Sequence, residues 1–493
     1  VLAGLAVASL LIPQSLAYAE LAGVPAYCGL YASMLPPIAA AFFASSPYLQ
    51  TGPVAMTALL TFGALSTLAA PRGAEYTASA TLLALVVGAV RVLIGMLRGG
   101  WVAYLMPQPV VTGFTSATAL LIIASQTPTA VGTEGTGADV IGSAWAALRD
   151  VASWQPAAIG LGALTIAFVM GGRRLHPLFP GVLVAVVSGV AIASHGGYPG
   201  PVVGEIPQGL PPFSLDLPWT RVPELLLPGL VIALVGFAEP AAIARIYAAQ
   251  DRQRWSPNRE LVAQGIANLA SGLSGGFPVG GSFSRTSVNR LAGGRTQWSG
   301  AITGLVVLLF LPMAGVLSTL PRAVLGAIVI AAVWPLLSFR PLWRLLRVAP
   351  VQGGVGWVTF ALTLALAPRV DRAVLMGIGL AIAVHFWREL TVQVDADYAD
   401  GTLRLSPRGV LFFASAPGLE AALLEQLSAH PAATRLVLQL AHLGRIDYTG
   451  ALALKSVVQE ATDAGLTVRM EGAPSQTRRI LQSVFGPDPD LVG

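Results

Sequence analysis

From residue 1 to about residue 390 the chain is a succession of apolar runs, most of them long enough to cross a bilayer, separated by short polar turns. Hydrocarbon offers no partner to a backbone N–H or C=O, so such runs must fold as helices or as a closed barrel, and their length selects helices. Only 11% of the residues are charged while 54% are hydrophobic, in keeping with a polytopic α-helical membrane protein. The 54 glycines and 36 prolines would break soluble helices. In a membrane bundle, neighbouring helices satisfy the freed backbone groups, and these residues then point to discontinuous spans. The pattern predicts fourteen segments, at 1–21, 27–44, 54–69, 76–97, 101–126, 155–171, 178–195, 224–249, 257–274, 284–292, 297–314, 322–338, 350–367 and 371–390. Val1 lies inside an apolar run and is not Met. The chain is therefore expected to begin after a missing N-terminal segment, with 1–21 read as a span rather than a signal peptide.

The sharpest break in this pattern is Gly275-Gly276-Phe277-Pro278-Val279-Gly280-Gly281-Ser282-Phe283-Ser284-Arg285-Thr286-Ser287-Val288-Asn289. Gly275 to Gly281 with Pro278 cannot continue a helix, whereas Ser282 or Ser284 can cap a new one. A half-helix that starts inside the membrane aims its free N–H groups and the positive end of its dipole at whatever lies before it, and Arg285 adds a full charge. The matching ligand is an anion. The alternative is an ordinary polar loop with Arg285 facing water. In the third segment, Leu49-Gln50-Thr51-Gly52-Pro53-Val54-Ala55-Met56-Thr57 repeats the same design, an extended piece followed by a helix with Pro53 suited to its first turn. Breaks at the third position of each seven-span half, 1–195 and 224–390, predict a 7+7 inverted repeat joined by the Pro/Gly-rich segment 196–223. Two half-helix N-termini would then face each other near the midplane.

The net charge of +5 is the sum of two unlike parts: residues 1–390 carry +8 and residues 391–493 carry −3. That asymmetry marks a domain boundary. With the N-terminus inside, thirteen arginines fall in inner loops and six in outer ones, which places the C-terminal region in the cytoplasm. Scattered between spans and without interleaved aromatics, these arginines argue against a nucleic-acid partner. The single cysteine, Cys28, excludes an intrachain disulfide and a Cys-built metal site. No P-loop, HExxH motif, paired catalytic carboxylates or triad-like cluster is present, so neither an enzyme nor a cofactor is expected.

Glu20 is the only charged residue among the first 71. A lone carboxylate on an apolar span is unfavourable unless neutral, paired or wetted, which makes Glu20 a candidate proton carrier; the alternative is an interfacial acid at the end of the first span. Glu239, in the corresponding span of the second half, is a second coupling candidate or a structural partner of an arginine. Gln14 and Tyr18 lie four apart on one helix face, beside Pro13, where they could line a pocket or simply pack helices.

The run Ile12-Pro13-Gln14-Ser15-Leu16-Ala17-Tyr18-Ala19-Glu20-Leu21-Ala22-Gly23-Val24-Pro25, then Gly29-Leu30-Tyr31 and Gly52-Pro53, resembles the sulfate permease (SulP) family, to which the animal sulfate/anion exchangers and prestin belong. The stretches 258–268 and 280–286 resemble its other marker segments. The resemblance implies core and gate domains, a cytoplasmic STAS domain, a homodimer, and an anion site between the third and tenth helices with contributions from the first. Carried over by position, the site residues are Gln14, Tyr18, Ser284 and Arg285, with the backbone around Val54 and Ala55. Implied substrates are sulfate, bicarbonate, chloride and dicarboxylates, often with a proton or sodium ion as coupling partner, and the implied location of this bacterial-type chain is an inner membrane. Where several halide-handling relatives carry Phe after the Gly-Pro of the third helix, this chain has Val54, a roomier position that suits a larger anion.

Past residue 390 the texture becomes alternating α/β. Leu403 and Leu405 alternate with polar residues, 410–413 and 436–440 are short apolar runs, and 418–429 and 451–464 look helical. Residues 395–493 resemble the STAS domain, whose loop before a helix appears as Arg445-Ile446-Asp447-Tyr448-Thr449-Gly450. Thr449 stands where phosphorylated relatives carry a hydroxyl; the other reading is a turn in which Asp447 and Thr449 cap the helix. Three functional classes remain: a coupled anion transporter, an uncoupled exchanger or channel, and a membrane sensor that displays the STAS domain.

Overall fold

The computed structural model describes residues 1–104, 106–133, 135, 139–211, 213, 215–390 and 393–486. Position 105 of the fifth expected segment and the last seven residues of the expected C-terminal domain lie outside the described residues. The chain divides into two compact units, 1–379 and 380–493.

In the first unit, α1 (Leu2–Leu21), α2 (Tyr27–Phe43), β1 (Thr51–Gly52), α3 (Ala55–Leu65), α4 (Ala74–Met96), α5 (Gln108–Val131), α6 (Val140–Arg149), α7 (Pro156–Ile166), α8 (Gly172–Leu175) and α9 (Gly181–Gly196) form the first repeat. A π-helical turn, Ala167–Gly171, joins α7 and α8 into one span. The second repeat follows as α10 (Val222–Gln250), α11 (Pro257–Leu273), β2 (Gly280–Gly281), α12 (Phe283–Leu291), α13 (Trp298–Phe310), α14 (Arg322–Val333), α15 (Arg340–Val348), α16 (Pro350–Ala365) and α17 (Val370–Leu390), the last of which continues into the second unit. Eight described helices are long and apolar enough to cross a membrane. The fold is the expected fourteen-segment inverted repeat with two discontinuous helices, α3 and α12.

Two differences from the expected segments have physical causes. The fifth span starts at Gln108, after a 3₁₀ turn at Gly99–Tyr104. Pro107 and Pro109 bracket that start: the first cannot belong to a helix interior, and the second sits in the first turn, where its missing N–H is harmless. Helices α6 and α15 lie outside the fourteen segments, each following the fifth span of its own repeat. The nine residues of α15 reach only about 14 Å, too short to cross. Arg340, Arg344 and Arg347 share one of its faces, as in a helix that lies along an interface.

Helices α1 to α4 pack with α10 to α13 in one bundle, and α5 to α9 with α14 to α16 in another, α1 meeting α9 and α14 between them. In the first bundle α4 and α11 are in backbone contact. A Cβ added to Gly88 would meet the Gly265 carbonyl oxygen at 2.8 Å, and one added to Gly265 the Gly88 carbonyl oxygen at 2.9 Å. Membrane helices gain little from burying apolar surface against each other, so small residues that admit such dispersion contact decide which helices pair.

The second unit contains β3 (Gln393–Ala399), β4 (Thr402–Leu411), α18 (Ala416–Ala429), β5 (Arg435–Gln439), β6 (Leu443–Ile446), α19 (Tyr448–Asp463), β7 (Thr467–Glu471) and α20 (Ser475–Phe485). The sheet runs β3-β4-β5-β7, with β6 pairing the end of β4 beyond a bulge at Gly409/Val410. Only the β3–β4 pair is antiparallel. Leu403, Leu405, Leu436 and Leu438 alternate into a core closed by Leu423, Leu454 and Leu481 of the helices. Asp447 caps α19, its Oδ1 accepting the Gly450 N–H at 2.6 Å, and Thr449 is exposed in the first turn.

Candidate functional site

Strands β1 and β2 pair antiparallel, Thr51 opposite Gly281 and Gly52 opposite Gly280. Each leads straight into a short helix, α3 of eleven residues and α12 of nine. At 1.5 Å per residue these cover roughly half of a hydrocarbon layer about 30 Å thick, so neither helix crosses it alone. The local sequence explains the geometry. Gly275, at φ +70°, turns the chain out of α11, and Pro278 keeps it extended. Gly281 lets the chains cross closely, since a Cβ there would lie 2.8 Å from Leu49 Cδ1. Val54 is the extended N-cap of α3, and no side chain caps that helix, leaving its first N–H groups aimed toward the crossing. Ser282 caps α12 by accepting the Arg285 N–H at 3.5 Å, and Thr286 Oγ1 ties the strands together by accepting the Gln50 N–H at 3.0 Å.

A polar stripe on α11 holds the extended chain as a further strand would. Asn268 donates Nδ2 to the Val279 carbonyl at 3.0 Å and accepts the Val279 N–H at 2.9 Å. Ser271 donates to the Phe277 carbonyl at 2.7 Å, and Gln264 donates to Thr51 Oγ1 at 2.7 Å. Sequence reasoning did not single out these three side chains. Their spacing of four and then three residues, one helix face, was the available signal.

Arg285 is fully buried, and its Nε, Nη1 and Nη2 have no hydrogen-bond partner. It packs against β1, where a Cβ on Gly52 would stand 3.5 Å from Nη2. Tyr18 and Glu239 lie within electrostatic range of Arg285, and Glu239 Oε1 accepts the Phe283 N–H at the start of α12 at 3.4 Å. Ser284 is half-buried with its Oγ 3.2 Å from Ser282 Oγ. Val54 and Ala55 are buried at the head of α3, and Gln14 is buried on α1 with its Oε1 unpartnered. Glu20 stands apart from this group. It meets Arg322 at 3.2 Å, beside a cavity of about 120 Å³ that Tyr27, Arg72 and Glu205 also line. Its isolation in the sequence is therefore resolved by a partner from the other repeat.

A buried guanidinium without a partner beside the N-termini of two short helices is a positive, hydrogen-bond-donating group of the kind that an anion can satisfy.

The sulfate permease family profile matches residues 1–359, and the STAS domain profile matches residues 393–484. The chain is 36% identical over 393 residues to a probable sulfate transporter of Mycobacterium tuberculosis, covering 78% of this chain and 69% of the relative. It is 30% identical over 524 residues to the sodium-independent sulfate anion transporter of Bos taurus, covering 98% and 85% respectively. The structure of the murine Slc26a9 anion transporter in the inward-facing state matches 100% of this chain and 89% of its own with a TM-score of 0.90 at 20% identity, a likeness of fold. The chain belongs to the sulfate permease family of membrane anion transporters and carries a STAS domain.

Proposed function

We propose that the chain is a secondary active transporter that carries a small anion of the sulfate, bicarbonate or dicarboxylate class by alternating access, in symport with a proton. The observation that carries this reading is the Arg285 guanidinium, buried without a partner where α3 and α12 begin. In this reading Arg285 supplies the charge, and Ser284 with the backbone N–H groups of Val54 and Ala55 supplies hydrogen bonds. Gln14 and Tyr18 close the site from α1. The sulfate transporters among the relatives favour sulfate within the class, and the sodium-independent one among them favours a proton over sodium as coupling ion.

Glu20 and Glu239 are the candidate proton carriers. A proton on Glu239 would remove a negative charge from the start of α12, and one on Glu20 would break its ion pair with Arg322. We place residues 395–493 in the cytoplasm of a bacterial cell, with the helical region in its inner membrane and the protein a homodimer, on the arginine distribution and the family. The test is uptake into proteoliposomes of sulfate, bicarbonate, chloride and a dicarboxylate, with and without a pH gradient. Accumulation of one of them driven by an inward proton gradient is expected. Flux without such drive would favour an uncoupled exchanger or channel, and no flux of any anion would favour a sensor.

A further inference from the structure

Arg91 of α4 is, like Arg285, a fully buried arginine, but its surroundings are different. Its Nε donates to the Ala233 carbonyl at 3.1 Å, Nη2 to the Ile232 carbonyl at 3.1 Å, and Nη1 to the Val279 carbonyl at 3.0 Å. Ile232 and Ala233 belong to α10, and Val279 immediately precedes β2. All three acceptors are neutral. The charged side chains on the long helices packed against α4 are Glu224, Glu239 and Arg245 on α10 and Arg259 and Glu260 on α11. None of them forms an ion pair with Arg91 among the described residues. Glu260 is engaged elsewhere, accepting the Ser46 N–H at 2.8 Å.

The position of this charge is informative. A Cβ on Gly236 would lie 2.7 Å from Arg91 Nη2 and 3.1 Å from Thr57 Cγ2, so the guanidinium lies close to the first turn of α3. Through Val279 it also holds the chain entering β2. It therefore backs the crossing, whereas Arg285 packs against β1. A structural fastener between α4 and α10 needs hydrogen bonds but no net charge; an uncompensated cation in a low-dielectric bundle is a standing unfavourable term unless an anion nearby uses it.

Resting on the reading of the crossing as the anion site, we propose that Arg91 is a positioning residue and a second fixed positive charge that sets anion affinity and favours divalent over monovalent anions, without touching the substrate. Coulomb energy is linear in the ligand's charge. Removing a nearby positive charge that costs a monovalent anion about tenfold in affinity therefore costs a divalent one about a hundredfold.

The experiment measures sulfate and nitrate binding by calorimetry to the purified full chain as wild type, Arg91→Gln and Arg91→Lys, with Arg285→Ala alongside. In Arg91→Gln the sulfate dissociation constant is expected to rise by about the square of the factor found for nitrate. Equal factors for the two anions, or unchanged binding, would overturn the proposal. Should Arg91→Gln not fold, Arg91→Lys decides alone, because a buried lysine can lose its proton at alkaline pH and arginine cannot. Its sulfate affinity relative to wild type is expected to fall between pH 6 and pH 10, and a ratio independent of pH would overturn the proposal. Wild-type binding retained in Arg285→Ala would instead remove the crossing as the anion site, a failure of the underlying reading that leaves a separate signature.

Discussion

A guanidinium taken wholly out of water without a partner is destabilising by several kcal/mol, so a chain that keeps Arg285 in that state is storing interaction free energy for something else. If that is an anion, Arg285→Ala should leave a folded protein whose anion affinity drops by roughly tenfold to a hundredfold, since a hydrogen bond to a charged group contributes about 1.5–3 kcal/mol. Ser284→Ala removes a neutral hydrogen bond, about 0.5–1.5 kcal/mol, and should cost less. Calorimetric titration of both variants with the transported anion checks the ranking, and a larger loss in Ser284→Ala would reverse the assignment of roles. The arginine lies in the first turn of α12, at the positive end of the dipole, where a cation is unfavourable. Among the described residues no carboxylate forms an ion pair with it, which is the observation behind the proposed site.

The elements that build the crossing depend on α11 as much as on α3 and α12. Asn268 satisfies both the N–H and the C=O of Val279. Asn268→Leu, of similar volume, leaves the buried Val279 N–H without a partner, at about 1–3 kcal/mol, while the Val279 carbonyl keeps its bond from Arg91 Nη1, and should lower both the melting temperature and the anion affinity. A variant with wild-type stability and binding would show that the stripe is incidental. The breaks themselves were legible in the sequence because glycine and proline act locally: Gly52-Pro53 and the run from Gly275 to Gly281 cannot be helix whatever surrounds them. The amphipathic helices α6 and α15 were not, because a nine- or ten-residue element between apolar spans does not stand out by hydropathy. Neither was the role of Asn268, since an amide on a helix face says nothing of what it will bond. The ion pair of Glu20 was hidden for a related reason: Arg322 belongs to the other repeat, and only the folded topology brings them together.

At the scale of the whole molecule, every residue named for the candidate site belongs to the unit 1–379. Deleting residues 395–493 should therefore leave residual anion uptake in proteoliposomes, with folding yield, assembly or regulation affected instead; complete loss of flux from a truncated protein that remains monodisperse would contradict this. The proposed coupling to protons would also be a property of the whole molecule, because Glu20 lies at the end of α1 of the first bundle and Arg322 begins α14 of the second. In the proposed mechanism the ionised pair would hold the two bundles together at that end, and a proton on the carboxylate would remove the attraction and free them to move against each other. Binding a proton and changing access would then be one event, and a proton carried with an anion lowers the net charge that crosses the low-dielectric barrier. Glu20→Gln fixes the neutral form. It should bind the anion and exchange it passively but no longer accumulate it against a gradient when the outside is made acidic, and Arg322→Ala, which lacks the same attraction, should weaken that drive as well. If Glu20→Gln still concentrates the anion in response to a pH gradient, proton coupling does not run through this pair. Glu239, whose carboxylate meets the N-terminus of α12, then becomes the residue whose replacement by Gln must abolish it.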